Sequence, residues 1–131
     1  SAYDTNNLLI NAYRVGSHDS VLTIFMDFAS SGPNTSIATD NYGNVWVSYY
    51  EGTSANLKVA KYVGTDGNCD AASGSDNWDC AVVDGTGTVG AYSSLAFDAN
   101  NVPWVSYYDG TNFSLKIAQY VGSGGNCDTK G

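Results

Sequence analysis

Residues 36–70 and 94–128 are one segment written twice, 58 positions apart and without a gap, with twenty of thirty-five positions identical. A repeat of this period cannot bury its apolar residues alone, so the fold must be a stack of equivalent supersecondary units. The shared text runs from Ser36 and Ser94 through Trp46-Val-Ser-Tyr-Tyr50 and Trp104-Val-Ser-Tyr-Tyr108 to Gly67-Asn-Cys-Asp70 and Gly125-Asn-Cys-Asp128. A worn third copy precedes them: Ser1-Ala-Tyr-Asp4 matches Ser106-Tyr-Tyr-Asp109, and Leu9 to Gly16 matches Leu57 to Gly64. The chain therefore reads as a partial unit over 1–35, a complete unit over 36–93 and a partial unit over 94–131. It is expected to be a piece of a longer polypeptide, or a processed chain completed by a neighbour.

Within one unit the hydrophobic period is that of strands. Ser36 to Asp40, Val45 to Glu51, Leu57 to Val63 and Asp79 to Asp84 read as four strands, with no helical spacing sustained between them. Asp40-Asn-Tyr-Gly43 and Gly52-Thr-Ser-Ala-Asn56 carry the Gly and Asn that tight hairpin turns need. Val45, Val47 and Tyr49 alternate with Trp46, Ser48 and Tyr50, so both faces of that strand carry bulk, as where sheets stack on sheets. Pro103 falls at a strand start, where no important ladder bond is lost.

Four-stranded sheets repeated radially are β-propeller blades, and 58 residues make a long one. The string Val89-Gly-Ala-Tyr-Ser-Ser-Leu-Ala-Phe-Asp98, then Pro103-Trp-Val-Ser-Tyr-Tyr-Asp109 and Leu115-Lys-Ile-Ala118, resembles the repeats of secreted bacterial and archaeal propeller-like proteins, most of them without an assigned function. The resemblance covers nearly the whole chain and implies an all-β incomplete propeller whose partners are further blades of the same polypeptide or neighbouring copies. A weaker similarity links Asp40-x-x-Gly43-x-x-Trp46 to the Asp-box of sialidase-type propellers, with one residue too many between Asp and Gly. In the next copy Asn101 stands where that glycine belongs. Nine strands are expected in all, not a multiple of four, so exposed strand edges are available for filament-like assembly.

Three cysteines divide into one pair and a remainder. Cys69 and Cys80 flank a polar stretch that the worn copy lacks entirely, the behaviour of a loop staple. A disulfide there would contribute on the order of 3 kcal/mol and favours an extracellular, oxidising location. The counterpart of Cys80 for Cys127 would fall past the last residue, so Cys127 is expected to be unpaired within the chain or to bond another one. Thirteen acids against five bases give a net charge of −8, a field that repels nucleic acid and anionic lipid. No apolar run approaches the roughly 18 residues of a membrane-spanning helix, so no membrane insertion is expected.

No catalytic signature emerges. Glu51, Asp109 and Asp4 hold one repeated position after a tyrosine pair or its remnant; an acid recurring at each hairpin mouth serves the turn, whereas an active site needs non-equivalent residues converging on one point. Arg14 is the only arginine, which excludes a sialidase-type carboxylate clamp. His18 lacks a nucleophile context. Asp66 to Asp70 opens like a calcium loop, but Ala71 and Asn77 stand where glycine and glutamate belong. No metal and no cofactor is expected. Lys58 and Lys116 recur inside the third strand and are expected to snorkel or to pair with an acid.

The aromatic residues leave one opening for function. Trp46 and Trp104, in mid-strand, and the sequence-unique Trp78, at the rim of the cysteine loop, offer rings for stacking a glycan, against the alternative that strand aromatics fill the space between sheets. Asn34-Thr-Ser36 and Asn112-Phe-Ser114 fit the glycosylation sequon. The reading is a non-enzymatic extracellular binding or scaffold module, with a lectin-like array or a surface-layer or filament subunit as its alternatives.

Overall fold

The computed structural model describes residues 8–14, 20–27, 32–69 and 76–127, the first two stretches as backbone only. Every regular element among them is a β-strand. The strands are β1 (Leu8–Arg14), β2 (Ser20–Asp27), β3 (Ser36–Thr39), β4 (Val45–Glu51), β5 (Asn56–Gly67), β6 (Asp76–Asp84), β7 (Val89–Phe97), β8 (Pro103–Asp109) and β9 (Ser114–Gln119). They form open antiparallel meanders in chain order: β1-β2, β3-β4-β5-β6 and β7-β8-β9.

The doubled sequence produces a doubled register. Ser36 pairs with Ser48 and Thr39 with Val45, and 58 residues later Ser94 pairs with Ser106 and Phe97 with Pro103. Left-handed backbone recurs with the same spacing: Asn34 and Tyr92, Gly43 and Asn101, Ala55 and Phe113, Gly64 and Gly122, Asp66 and Gly124 all have positive φ. The turn geometry therefore survives where the side chain no longer favours it. Asn101, in the place of Gly43, closes the same turn by donating its N–H to the carbonyl of Asp98, as Gly43 does to Asp40.

Two strands run longer than their hydrophobic pattern predicts. β5 continues to Gly67 and β6 starts at Asp76, not Asp79, because the ladder resumes past a bulge with Gly67 opposite Asp76. Gly67 is required there, since a Cβ would lie 2.2 Å from the Trp78 carbonyl oxygen. The N–H groups of Asn68 and Cys69 both donate to that carbonyl, and the Cys69–Cys80 disulfide closes the end of the hairpin. β7 likewise begins at Val89, ahead of the repeat boundary at Ser94, so one strand straddles two units.

The two larger sheets stack face to face. One face of the four-stranded sheet buries Val47, Tyr49, Ala60 and Trp78. Its other face presents Leu57, Val59, Trp46 and Ala38 to Leu95, Phe97, Val105, Tyr107 and Ala118 of the three-stranded sheet. β7 lies close against this seam. Gly90, at φ +111°, sits against Leu57, where a Cβ would come within 2.7 Å of the Leu57 Cα. Ser36 Oγ accepts from the Leu95 N–H at 3.1 Å, and the Ser48 and Ser93 hydroxyls meet at 2.9 Å.

Two substitutions should move stability in opposite directions. Gly90→Ala adds a Cβ against backbone in a conformation L-residues avoid, and should lower unfolding free energy by about 2–3 kcal/mol. Phe113→Gly removes an 81% exposed ring from a left-handed position and should raise it by about 0.5–1 kcal/mol. Urea denaturation of both variants beside the parent chain measures the two signs.

Candidate functional site

The repeated acids are held by the turns and strands around them. Asp40 Oδ1 accepts from the N–H groups of Tyr42 and Asn44, while Oδ2 accepts from Asn44 Nδ2 and from the Trp46 indole at 3.1 Å. Asp98 repeats the bracket, accepting from the N–H groups of Asn100 and Val102 and from the Trp104 indole at 3.0 Å. Burial alone would raise the Asp40 pKa, but these hydrogen bonds, led by Asn44, lower it to about 2. The Trp104 hydrogen bond, with those of the turn, also holds Asp98 below its ordinary value. The Asp-to-Trp spacing of six was visible in both copies, and the indole hydrogen bond is its reason.

Glu51 and Asp109 serve the next hairpin. Glu51 accepts from the N–H groups of Thr53 and Ser54, and Asp109 from those of Thr111 and Asn112 and from Asn112 Nδ2. Asp109 is also 3.3 Å from Lys116 Nζ, and the Asn112 hydrogen bonds lead in lowering its pKa to about 2. Asp4 and His18 lie outside the described residues.

A buried polar cluster joins the two sheets beside this hairpin. Asp84, at the end of β6, is fully buried and accepts from Tyr107 Oη at 2.7 Å and Lys116 Nζ at 2.9 Å, both from the three-stranded sheet, and from the Thr86 N–H. Burial pushes the Asp84 pKa up, and the Tyr107 and Lys116 hydrogen bonds more than reverse it. Burial and the Asp84 hydrogen bond raise Tyr107, and the Asp84 hydrogen bond leads in raising Lys116. The cluster is thus an ionised clamp: a protonated lysine between two carboxylates, with every shift deepening the charge state each group already has at neutral pH. Asp84 lies outside the doubled segment, so no second copy draws attention to it.

An apolar groove of about 500 Å³ lies between the sheets. Trp46 and Val59 line it from one unit, Val83 from β6, and Pro103, Val105 and Tyr120 from the next unit. Cys127 lies at this seam, half-buried, with its carbonyl accepting from Thr86 Oγ1. Of the three tryptophans, Trp46 reaches the groove; its ring packs on Phe97 at 5.5 Å, with the Lys61 ammonium 5.5 Å from its centroid. Trp104 is 38% exposed on the outer face of the three-stranded sheet.

Trp78 departs from the expectation of a ring at a loop rim. It is 1% exposed, packed in the core with Val47, Tyr49 and Ala60 and edge-on to Tyr62. The physical reason is the longer β6, which places Trp78 opposite Tyr62 inside the sheet, so no face of the ring is open to a sugar. Among the described residues no group of three or more His, Cys, Asp or Glu is gathered around a cation-sized site; Asp70 of the calcium-like stretch lies outside them.

No protein-family model, curated protein or solved structure matches the chain.

The acids give stability a definite pH dependence. Asp40, Asp84, Asp98 and Asp109 all have folded pKa values below that of an unfolded aspartate, about 3.9. Their contribution is therefore complete above about pH 5 and is lost as pH falls towards about 2. The urea midpoint should drop steeply through that window and stay flat from about pH 6 to about pH 8. Tyr107→Phe, which removes one donor from buried Asp84 at constant shape, should cost about 1.5–3 kcal/mol at neutral pH in the same assay.

Proposed function

We propose that this chain is a non-enzymatic extracellular binding module built from β-propeller-type repeats, and that the groove between its sheets is the ligand site. The observation that carries the reading is the groove itself. Its volume of about 500 Å³ lies within the range of small-ligand sites, and its wall is apolar and aromatic with polar groups at the rim. Meander sheets of one repeated sequence, stacked face to face around a glycine contact, support the propeller-type description. The Cys69–Cys80 disulfide supports an oxidising compartment.

The assignment as a binder follows from how the ionisable groups are used. Asp40, Asp98, Glu51 and Asp109 are saturated by turn donors, and Lys116 is committed to two carboxylates. The shifts keep Asp40, Asp98 and Asp109 ionised and Lys116 protonated through neutral pH, so these four do not exchange protons there as general acid–base chemistry requires. The ligand class that suits the groove is a glycan: the Trp46 ring offers an apolar platform for a pyranose face, and Gln119 and Ser123 at the rim offer hydrogen bonds to hydroxyls.

Titration with neutral oligosaccharides, followed by tryptophan fluorescence, tests the proposal. Saturable binding should be seen, and Tyr120→Ala, a change at a 66% exposed residue, should weaken it about tenfold without altering the far-ultraviolet spectrum. A flat response across cello-, chito-, xylo- and galacto-oligosaccharides would remove the glycan reading.

A further inference from the structure

The doubled sequence supplies its own reference for what each face of a unit contacts. In the four-stranded sheet Leu57 is fully buried, and Val59 and Trp46 are half-buried, all under the three-stranded sheet. Their counterparts 58 residues on are Leu115, Ile117 and Trp104 on the outer face of β8 and β9, exposed at 74%, 64% and 38%. The same residue types in the same register are covered once and uncovered once. The polar anchors of the covered seam recur as well, because Ser94 and Ser106 stand on the open face where Ser36 and Ser48 meet β7.

The surface complementary to that face is present elsewhere on the molecule. In the internal seam Leu95 enters the core from β7 at 6% exposure, beside Val89 at 0%. Its counterpart on β3, Ile37, is 58% exposed. Thr35 keeps a hydroxyl in the place of Ser93, while Thr39 replaces the Phe97 ring that packs on Trp46. Ile37 is thus an exposed knob of the kind that Leu95 inserts into such a face, with a thinner contact at Trp104.

We propose that the outer face of the β7-β8-β9 sheet docks a second copy of this chain, β3 foremost, repeating the contact that β7 makes with the β3–β6 sheet. This rests on the propeller-type repeat geometry and not on the ligand reading of the groove. The two surfaces differ, so the interface is heterologous and assembly proceeds head to tail. It uses sheet faces, which distinguishes it from strand addition at an edge. Each chain carries a net charge of −8, so association strengthens as added salt screens the repulsion.

Sedimentation velocity on the full chain tests this across about a hundredfold range of concentration at low and at high salt. The expected result is concentration-dependent growth beyond the monomer, greater at high salt. The double variant Leu115→Glu with Ile117→Glu changes only exposed positions, and should raise the dissociation constant at least about tenfold. Ile37→Glu alone should do the same. Mixed in equal amounts, the two variants each retain one competent surface and should form a 1:1 heterodimer and nothing longer. A wild-type chain that stays monomeric throughout overturns the proposal, as does association undiminished by Leu115→Glu and Ile117→Glu, which would assign the contact to strand edges. Absence of the heterodimer overturns the head-to-tail arrangement. Both variants leave Trp46 and the groove intact, so oligosaccharide titration of the same samples reads the ligand proposal separately.

Discussion

The seam between the four-stranded and three-stranded sheets rests on one close approach, Gly90 of β7 seated on Leu57 of β5. A Cβ at that point would come within 2.7 Å of the Leu57 Cα, so β7 would have to stand off by about an ångström. With glycine there, the strand settles low enough for the Leu95 N–H to reach Ser36 and for the Ser93 hydroxyl to reach Ser48. Leu95, Val105 and Tyr107 then fall within van der Waals range of Leu57 and Val59, and the two turns stack, with Asn41 bonded to Asn101 and to the carbonyls of Asp98 and Ala99. Dispersion and area burial supply the stabilisation, and both fall off sharply with a gap of even half an ångström. The glycine sets the distance on which those gains depend.

A seam that close at one end must still be closed at the polar end, where β6 leaves the first sheet. Two carboxylates, Asp84 and Asp109, are buried there at 0% exposure, an arrangement whose desolvation is costly unless every oxygen is engaged. Lys116, Tyr107 and four turn N–H or amide donors engage them. Tyr107 and Lys116 come from one sheet and Asp84 from the other, so the cluster fixes the rotation of the sheets as well as their separation. Apolar packing tolerates small slides; a three-way hydrogen-bond geometry does not.

Much of this was legible in the sequence, and the omissions have physical causes. The positions of β3, β4 and the start of β5, the turn at Asp40 to Gly43 and the Cys69–Cys80 pair follow from alternation, turn chemistry and a loop lost together with its cysteines. The extension of β5 and β6 was hidden because Gly67 and Asp76 break the hydrophobic alternation while still pairing across the ladder. Trp78 was misplaced for the same reason: in a polar sequence it reads as a rim residue, and only the longer strand turns it inward. Asp84 could not be weighed from repetition, since it has no counterpart in the second copy. The left-handed positions at Tyr92 and Phe113 were invisible to residue preference, because their neighbours in the repeat hold a geometry their own side chains disfavour.

Repetition explains the fold better than it explains function, because equivalent residues are spread apart by the same operation that makes them equivalent. The groove escapes this limit. Its walls come from non-equivalent positions, Trp46 and Val59 of one unit against Pro103, Val105 and Tyr120 of the next, so a seam brings together residues that no single unit contains. A further seam of the same kind would set Trp104 in the place of Trp46 where the outer face is covered. If the groove is the ligand site, binding and assembly would draw on the same kind of seam, since a contact that buried Leu115 and Ile117 would also cover Trp104. An array so built would gain avidity from sites held at fixed spacing on a rigid support, which offsets modest affinity at any one of them.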